Sequence, residues 1–394
     1  MKIIDRYILG KFFITFFWCY ISLVGFYVLL DLVSNIGAFL GAGTVSDLLT
    51  NIPAYYFIDS FVFIDMVFPF LILLSAVTTS AVMDHNNELI ALLAMGASPG
   101  RILAPIIVGA LGASLLFTAI RECYLPARLV EISQKPSEFV QKSDVFPVCR
   151  SYDYKTHISI DGEKVLLNSN TIIKPSILLR KNLNTYGNRL TASEGVFLDA
   201  DNERPDGWLL KDVASPSELL KNKSLMDDKL GEIVIYSPVD YPWLKENEAF
   251  VATSLKPIHL VTGENWFQYG SVFELKEALE DPTFKHKSIT LAVRTHTRLW
   301  RPLTDLLPLF LGVPFIFLRR DKKILTAIMQ GMFLAGSYVA SQYVSSYLGV
   351  KLNNAFIGIW FPCLIFVPLA TMFYCELISK NMRQKNKTRV DFEN

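Results

Sequence analysis

Six long apolar stretches constrain the fold of this chain more than any other feature. They cover residues 12–32, 57–83, 102–120, 303–318, 324–347 and 356–378. At a rise of about 1.5 Å per residue, about 20 residues cross a bilayer core that is about 30 Å thick. Hydrophobic residues make up 51% of the 394 residues, whereas charged residues make up 19%. The sequence therefore predicts a polytopic membrane protein with six transmembrane helices.

The segment between the first three and the last three stretches has the pattern of a β domain. It contains the short alternating runs HISI, KVLL, GWLLKDV and GEIVIY, with turn signals such as Asp161-Gly162 between them. Several such runs at short spacing predict an all-β sandwich, barrel or jelly-roll-like module. Residues 273–280 are predicted to form a short helix that leads back to the membrane. The predicted fold class is an α-helical membrane protein with an inserted all-β domain.

Positive charges in the short loops predict the orientation of the chain in the membrane. They concentrate on one side, at Lys2, Arg6, Lys11, Arg101, residues 319–323 and the tail after residue 380. On the other side, no lysine or arginine occurs between Asp31 and Tyr56. Because cytoplasmic loops are enriched in lysine and arginine, both termini are predicted to be cytoplasmic. The β domain is then predicted to lie on the far side.

The segment 84–101, between the second and third stretches, has the signals of a short cytoplasmic helix. Asp84 or Asn86 can cap its start, and Gly96 can end it in a left-handed conformation. Glu88 is the one charge on the helix proper, and Leu89, Leu92 and Leu93 share one face. A helix that is apolar on nearly every side must be covered by protein or lie in a membrane interface. Two interpretations are open: a connector packed on its own membrane helices, or a helix that docks onto a partner.

The sequence lacks the motifs of an enzyme, a nucleotide site or a metal site. It contains no G-x-S-x-G, no H-E-x-x-H and no G-x-x-x-x-G-K-[ST], so ATP-driven work requires a separate subunit. We therefore expect no catalytic residue, cofactor or metal. The net charge of +1 and the lack of a basic patch with interleaved aromatic residues predict no nucleic-acid partner. A disulfide between Cys123 and Cys149 is conceivable, although their spacing does not demand it.

Several polar residues near the membrane are candidates for lipid binding. Arginines follow the third stretch and precede the fourth, namely Arg121, Arg128, Arg294, Arg298 and Arg301. They can bind phosphate groups bidentately or serve as ordinary interfacial anchors. Ser337 and Ser341 belong to a polar stripe that either lines a wet cavity or holds helices together. Asp65, near the outer end of its helix, is expected at the interface rather than buried.

Four segments resemble the LptF/LptG permeases of the lipopolysaccharide-export ABC transporter. The most specific is NELIALLAMGASPGRILAPI, which is similar to the coupling segment of that family. The others are IIDRYILGKFFITFF, RECYLPARL and TRLWRPLTDLLPLFLGVP. The order of three helices, a β module and three helices extends the resemblance over essentially the whole chain.

The resemblance implies a non-catalytic permease of the inner membrane. A cytoplasmic ABC ATPase dimer would contact Glu88, Leu89, Leu92, Leu93, Met95 and Gly96, with the leucines in a groove of the ATPase and Glu88 against a basic group. A second permease subunit, either a paralogue or another copy of this chain, would complete a cavity for lipopolysaccharide or a similar lipid. A jelly-roll-like periplasmic domain would pass the lipid to periplasmic bridge proteins.

The resemblance also implies a domain division. Residues 1–125 would hold helices 1–3 with the coupling helix 84–101, residues 126–290 the periplasmic domain, residues 291–380 helices 4–6, and residues 381–394 a basic cytoplasmic tail.

The competing interpretation is a membrane-anchored envelope assembly or scaffold protein that transports nothing. A third, an ATP-independent secondary transporter, is disfavoured because the sequence has no clear charged pair at the bilayer centre.

Overall fold

The computed structural model describes most of the chain as two compact units. The described residues are 3–41, 45–140, 144–179, 188–201, 204–215, 221, 223–227, 231–318 and 324–393. The helical unit comprises residues 1–34, 59–124 and 292–394, and the β unit comprises residues 35–58 and 125–291. The positively charged residues Lys2 and 319–323, which contributed to the predicted orientation, lie outside the described residues.

The helices follow one another from the N-terminal end to residue 140 and again from residue 257 onward. In chain order they are α1 (Ile3–Leu40), α2 (Val45–His85), α3 (Glu88–Ala94), α4 (Pro99–Ala127), α5 (Leu129–Ser133), α6 (Pro136–Val140), α7 (Pro257–Thr262), α8 (Glu264–Tyr269), α9 (Val272–Glu280), α10 (Ser288–Thr304), α11 (Leu307–Leu318), α12 (Ile324–Lys351) and α13 (Ala355–Glu393). A 3-10 helix, Pro282–Lys287, precedes α10. The predicted short helix 273–280 is confirmed as α9.

Four helices among the described residues are long and apolar enough to cross a membrane, so the prediction of six spans is not confirmed. The four candidate spans are Ile3–Leu40, Leu48–His85, Gly100–Ala127 and Ala355–Glu376. The predicted fourth span corresponds to α11, whose 12 residues rise only about 18 Å. The predicted fifth span corresponds to α12, and part of the side chains of that stretch lies outside the described residues.

The strands of the β unit form one antiparallel sheet. They are β1 (Val145–Pro147), β2 (Ser151–Asp153), β3 (Ile158–Asp161), β4 (Lys164–Leu166), β5 (Thr171–Ile173), β6 (Ser176–Leu178), β7 (Arg189–Leu198), β8 (Gly207–Ser215), β9 (Leu225–Asp227), β10 (Glu232–Tyr236) and β11 (Ala249–Ala252). The main order is β1-β4-β5-β7-β8-β11-β10-β9, and β2, β3 and β6 form a branch that joins β7. The four runs predicted as strands are confirmed, but a jelly roll is not.

The long strand β7 is the element on which the two branches of the sheet meet. Its C-terminal half pairs with β5, its N-terminal half pairs with β6, and β8 pairs along nearly its whole length. The core beside it contains Trp208, whose Nε1 donates a hydrogen bond to the carbonyl oxygen of Leu255 at 2.9 Å. Gly207 starts β8 because a Cβ at this position would lie 2.3 Å from the carbonyl oxygen of Val251.

Candidate functional site

The helix α3 connects the candidate spans α2 and α4 and is shorter than the predicted segment 84–101. Its predicted N-cap is wrong, because Asp84 still belongs to α2 and Asn87 precedes α3 with a left-handed φ of 60°. Its predicted end is confirmed, since Gly96 has a φ of +82° and donates a hydrogen bond to the carbonyl oxygen of Leu93. Pro99 then begins α4, as its position after Ser98 predicted.

The apolar residues of α3 and of its C-terminal end divide into a buried pair on one face and exposed residues around the rest of the helix. Leu89 and Leu92 are only 7% and 8% exposed, and they belong to the same core cluster as Ile8 and Phe12 of α1. On the other side, Ile90 is 44%, Leu93 38% and Met95 70% exposed, and Gly96 is exposed as well. Of the three leucines expected to fill a groove of a partner, two therefore pack against this chain itself. Their spacing of three residues places them on one helical face, and the chain turns at both ends of α3 fold that face inward.

Glu88 at the start of α3 binds two side chains of α1. Lys11 Nζ donates hydrogen bonds to both carboxylate oxygens of Glu88, and Tyr7 donates its hydroxyl to Oε2 at 3.1 Å. The Lys11 ammonium also lies 4.8 Å from the centroid of the Tyr7 ring. The hydrogen bond from Lys11 lowers the pKa of Glu88 below its ordinary value of 4.5, although partial burial opposes the shift. We call Tyr7, Lys11 and Glu88 the α1–α3 bridge.

The candidate arginines Arg121 and Arg301 converge on one buried carboxylate in the helical unit. Asp65 Oδ1 lies 2.6 Å from Arg121 Nε in an ion pair and accepts a hydrogen bond from Arg301 Nη1 at 2.5 Å. Arg301 also donates to the backbone oxygen of Asp65, and its Nε lies 3.2 Å from Asp305. Arg121 makes a second ion pair, with Glu122 at 2.7 Å. The expectation of an interfacial Asp65 is wrong, because α2, α4 and α10 bury it as the shared acceptor of two cations.

The other candidate arginines lie in different surroundings. Arg294, Arg298 and Arg301 are spaced by four and three residues along α10 and therefore share one of its faces. Arg298 is buried, whereas Arg294 is partly exposed. Arg128 belongs to the β unit and forms an exposed ion pair with Glu131 at 2.6 Å. Four of the five arginines therefore lie in the helical unit, and Arg128 lies in the β unit.

Ser337 and Ser341 bond to the backbone of their own helix. Their hydroxyls donate to the carbonyl oxygens of Leu334 and Tyr338, at 2.8 and 2.7 Å. The interhelical bond of this polar stripe comes from Ser345, which donates to Ile357 of α13 at 2.8 Å. Of the two interpretations of the stripe, a wet cavity or a contact that holds helices together, the second thus applies to Ser345.

Three residues with prominent contacts were not among the sequence candidates. Tyr7 and Lys11 are separated from Glu88 by about 80 residues, so no local pattern connects them. Tyr338 lies buried in α12, donates to the carbonyl oxygen of Thr304 and accepts from Gln342 at 2.7 Å. A tyrosine in a predicted membrane span that is buried needs partners for its hydroxyl, but the sequence does not distinguish Tyr338 from the exposed Tyr343 and Tyr347 of the same helix.

A cavity of about 290 Å³ lies in the β unit. Its lining includes Cys149, Arg150, Tyr152, Leu255, His259, Trp266, Phe267, Phe284 and Lys287. The Nδ1 atom of His259 accepts a hydrogen bond from the backbone N–H of Lys256 at 3.2 Å. This requires the neutral ring in the tautomer that carries its proton on Nε2. Burial and the nearby charge of Lys256 lower the pKa of His259 to about 4. Cys149 and Cys123 are free thiols and belong to different units.

No group of three or more metal-ligating acidic, histidine or cysteine side chains occurs within the described part of the chain. The family described as lipopolysaccharide export system permease LptF/LptG matches residues 6–375. No curated protein matches the sequence. The matched region contains α3, the α1–α3 bridge and the arginines around Asp65.

Proposed function

Because the chain belongs to the LptF/LptG family of lipopolysaccharide export permeases, we propose that it is the membrane subunit of an ABC transporter. A separate cytoplasmic ATPase dimer supplies the energy, and a second permease subunit completes the transport path. The complex extracts lipopolysaccharide from the inner membrane and transfers it to periplasmic bridge proteins. The β unit is the periplasmic domain, and both termini are cytoplasmic.

The exposed apolar face of α3 is the observation that carries this proposal. Ile90, Leu93 and Met95 present three large apolar side chains in the short connection between two candidate spans. Removing such a side chain from water contributes about 1.5–3 kcal/mol, so this face gains several kcal/mol when a partner covers it. We therefore assign the ATPase contact to Ile90, Leu93, Met95 and the exposed Gly96. Leu89 and Leu92 support the contact from behind, since they attach α3 to the core of the helical unit.

Co-purification of the ATPase with the full-length chain tests this contact. Met95→Glu should greatly reduce the amount of ATPase that is recovered, because a carboxylate would have to lose its water in an apolar contact. Met226→Glu is the matched control, since it makes the same change at another exposed methionine, in the β unit. Equal recovery with Met95→Glu and with Met226→Glu would contradict the docking surface. Recovery of the unsubstituted chain without any ATPase would instead favour the envelope scaffold.

Among the arginines, we propose Arg294 as the residue of α10 that contacts lipid phosphate. It is partly exposed, whereas Arg298 is buried and Arg301 binds Asp65. Guanidinium groups bind phosphate bidentately, so loss of this group should weaken lipid binding without disturbing assembly. Photo-crosslinking of lipopolysaccharide to Arg294→Ala, compared with Arg204→Ala in the β unit, measures this. Unchanged crosslinking would leave Arg294 as an interfacial anchor.

The orientation can be tested with single cysteines in a variant that lacks the five native ones. A cysteine at Met95 should react with a membrane-impermeant maleimide only after the inner membrane is opened. A cysteine at Met226 should react in intact spheroplasts, because the β unit is periplasmic. The reversed pattern would contradict the proposed orientation.

A further inference from the structure

We infer that the α1–α3 bridge transmits the movement of α3 to α1, so that α1 is the membrane helix that the ATPase displaces first. This inference rests on the proposed docking of an ATPase on α3. It adds that α1 is the helix to which the movement of α3 is transmitted, and it assigns Lys11 and Tyr7 as positioning residues for transport.

The contacts between α3 and α1 combine a charged and an apolar part. The charged part is Lys11, which reaches both carboxylate oxygens of Glu88, with the Tyr7 hydroxyl as a second donor. The apolar part is the cluster in which Leu89 and Leu92 pack together with Ile8 and Phe12. Tyr7, Ile8, Lys11 and Phe12 lie at successive i, i+1, i+4 and i+5 positions, which form one face of α1. One face of α3 is therefore attached to one face of α1 over about two turns.

The connections of α3 to α2 and α4 are of a different kind. Asn86 and Asn87 form a turn with Asn87 in the left-handed region, and residues 95–98 form a second turn that contains Gly96. Such non-helical turns absorb changes of backbone angle, so they transmit a displacement of α3 less directly than a side-chain contact does. The bridge to α1 is thus a route through side chains, separate from the two backbone connections.

The helix α1 is also the span that is held least by the rest of its own chain. None of the most apolar 18-residue stretch of α1 is buried, whereas 56% of the corresponding stretch in α2 and 44% in α4 is buried. Moving α1 therefore disturbs fewer contacts within this chain than moving α2 or α4 would. A helix that is attached to α3 at one end, and that packs beyond it through side chains that are only partly buried, is suited to receive the motion.

Replacement of Lys11 separates transmission from docking. Lys11→Met keeps much of the apolar stem and removes the charge, and it lies away from the exposed face of α3. ATPase recovery and ATP hydrolysis should persist, while the lipopolysaccharide released per ATP should fall by about fivefold or more, which is the lower range of coupling between sites. The exchanged pair Lys11→Glu with Glu88→Lys should restore much of this ratio. An unchanged ratio in Lys11→Met, or no recovery in the exchanged pair, would overturn the inference.

A distance measurement tests the same inference without transport. Spin labels at the exposed residues Ile14 and Ala91, in the complex of the cysteine-free chain with its ATPase, report the distance between α1 and α3. This distance should stay constant through the ATP cycle when the bridge is intact and change in Lys11→Met. Tyr7→Phe, which removes a single hydroxyl, should give an intermediate result and guards against misfolding of Lys11→Met. A distance that changes equally in all three proteins would refute transmission, whereas absence of the ATPase would refute the proposed function.

Discussion

Replacing Asp65 by Asn should destabilise the helical unit, because this carboxylate is shared by two arginines. Arg121 Nε and Arg301 Nη1 lie 2.6 and 2.5 Å from the same oxygen, and Arg121 is 5% exposed. Asn preserves the size of the side chain and one carbonyl oxygen but removes the negative charge. Two buried cations would then remain close together with one fewer anion beside them.

The expected loss is about 3 kcal/mol. Breaking a buried ion pair by removing one partner costs about 3–5 kcal/mol, because the remaining charge stays buried and uncompensated. The lower end applies here, since Arg121 keeps Glu122 at 2.7 Å and Arg301 keeps Asp305 at 3.2 Å. For a unit of roughly 200 residues, each kcal/mol lowers the midpoint of thermal unfolding by about 2–4 °C. The midpoint should therefore fall by about 6–12 °C.

Thermal unfolding of the full-length chain in mild detergent measures this loss. Asp161→Asn is the matched control, because Asp161 pairs with an exposed arginine, Arg150, at 2.8 Å. Exposed ion pairs contribute about 0–1 kcal/mol, so the control should shift the midpoint by no more than a few degrees. If Asp65→Asn had as small an effect as Asp161→Asn, the arginines around Asp65 would be solvated and the reasoning would be refuted.

Three further predictions concern the β unit and α3. The pKa of His259 is about 4 in the folded chain and 6.5 ordinarily, so the unfolded chain takes up a proton first as the pH falls. The free energy of unfolding of the β unit should thus be highest above pH 6.5 and should decrease toward pH 4 by at most about 3 kcal/mol. Unfolding of His259→Gln should lack this pH dependence. Gly207→Ala should lower the unfolding midpoint of the β unit more than Gly231→Ala, whose Cβ meets no atom within 4 Å and whose strain comes only from a φ of +66°; equal effects would exclude the clash with Val251. The pKa of Glu88 is lowered, so its pairing with Lys11 is complete above pH 4.5 and should weaken below it, which a fluorophore at Met95 would report as increased mobility.

Local patterns in the sequence predicted the elements better than their contacts. The apolar stretches correspond to α1, α2, α4, α11, α12 and α13, and the alternating runs correspond to β3, β4, β8 and β10. Hydrophobic periodicity is a local property, so it reports where a helix or strand lies. The short α11 was predicted as a full span because the stretch around it is otherwise apolar. In the structure, a turn at Asp305 and Leu306 separates α11 from α10.

The candidate site depended on contacts that no local pattern contains. Leu89, Leu92 and Leu93 are equivalent in the sequence, and only the fold of α3 onto α1 distinguishes the buried pair from the exposed residue. Charge patterns likewise predicted Lys11 as a cytoplasmic positive charge but not as the partner of Glu88. The arginines were found because their charge is unusual near a membrane, yet their common acceptor, Asp65, was assigned to the interface.

The ion pairs of Asp65 also determine an order of events during synthesis. Arg121 follows Asp65 before the β domain begins, whereas Arg301 lies 236 residues after Asp65, beyond the strands of the β unit. At about 5–20 residues per second, the ribosome needs roughly 10–50 s to reach Arg301. During this time Arg121 is the one arginine of the pair that can neutralise Asp65 in the nascent chain. Arg121 thus serves as an early partner that keeps α2 and α4 together until the last helices arrive.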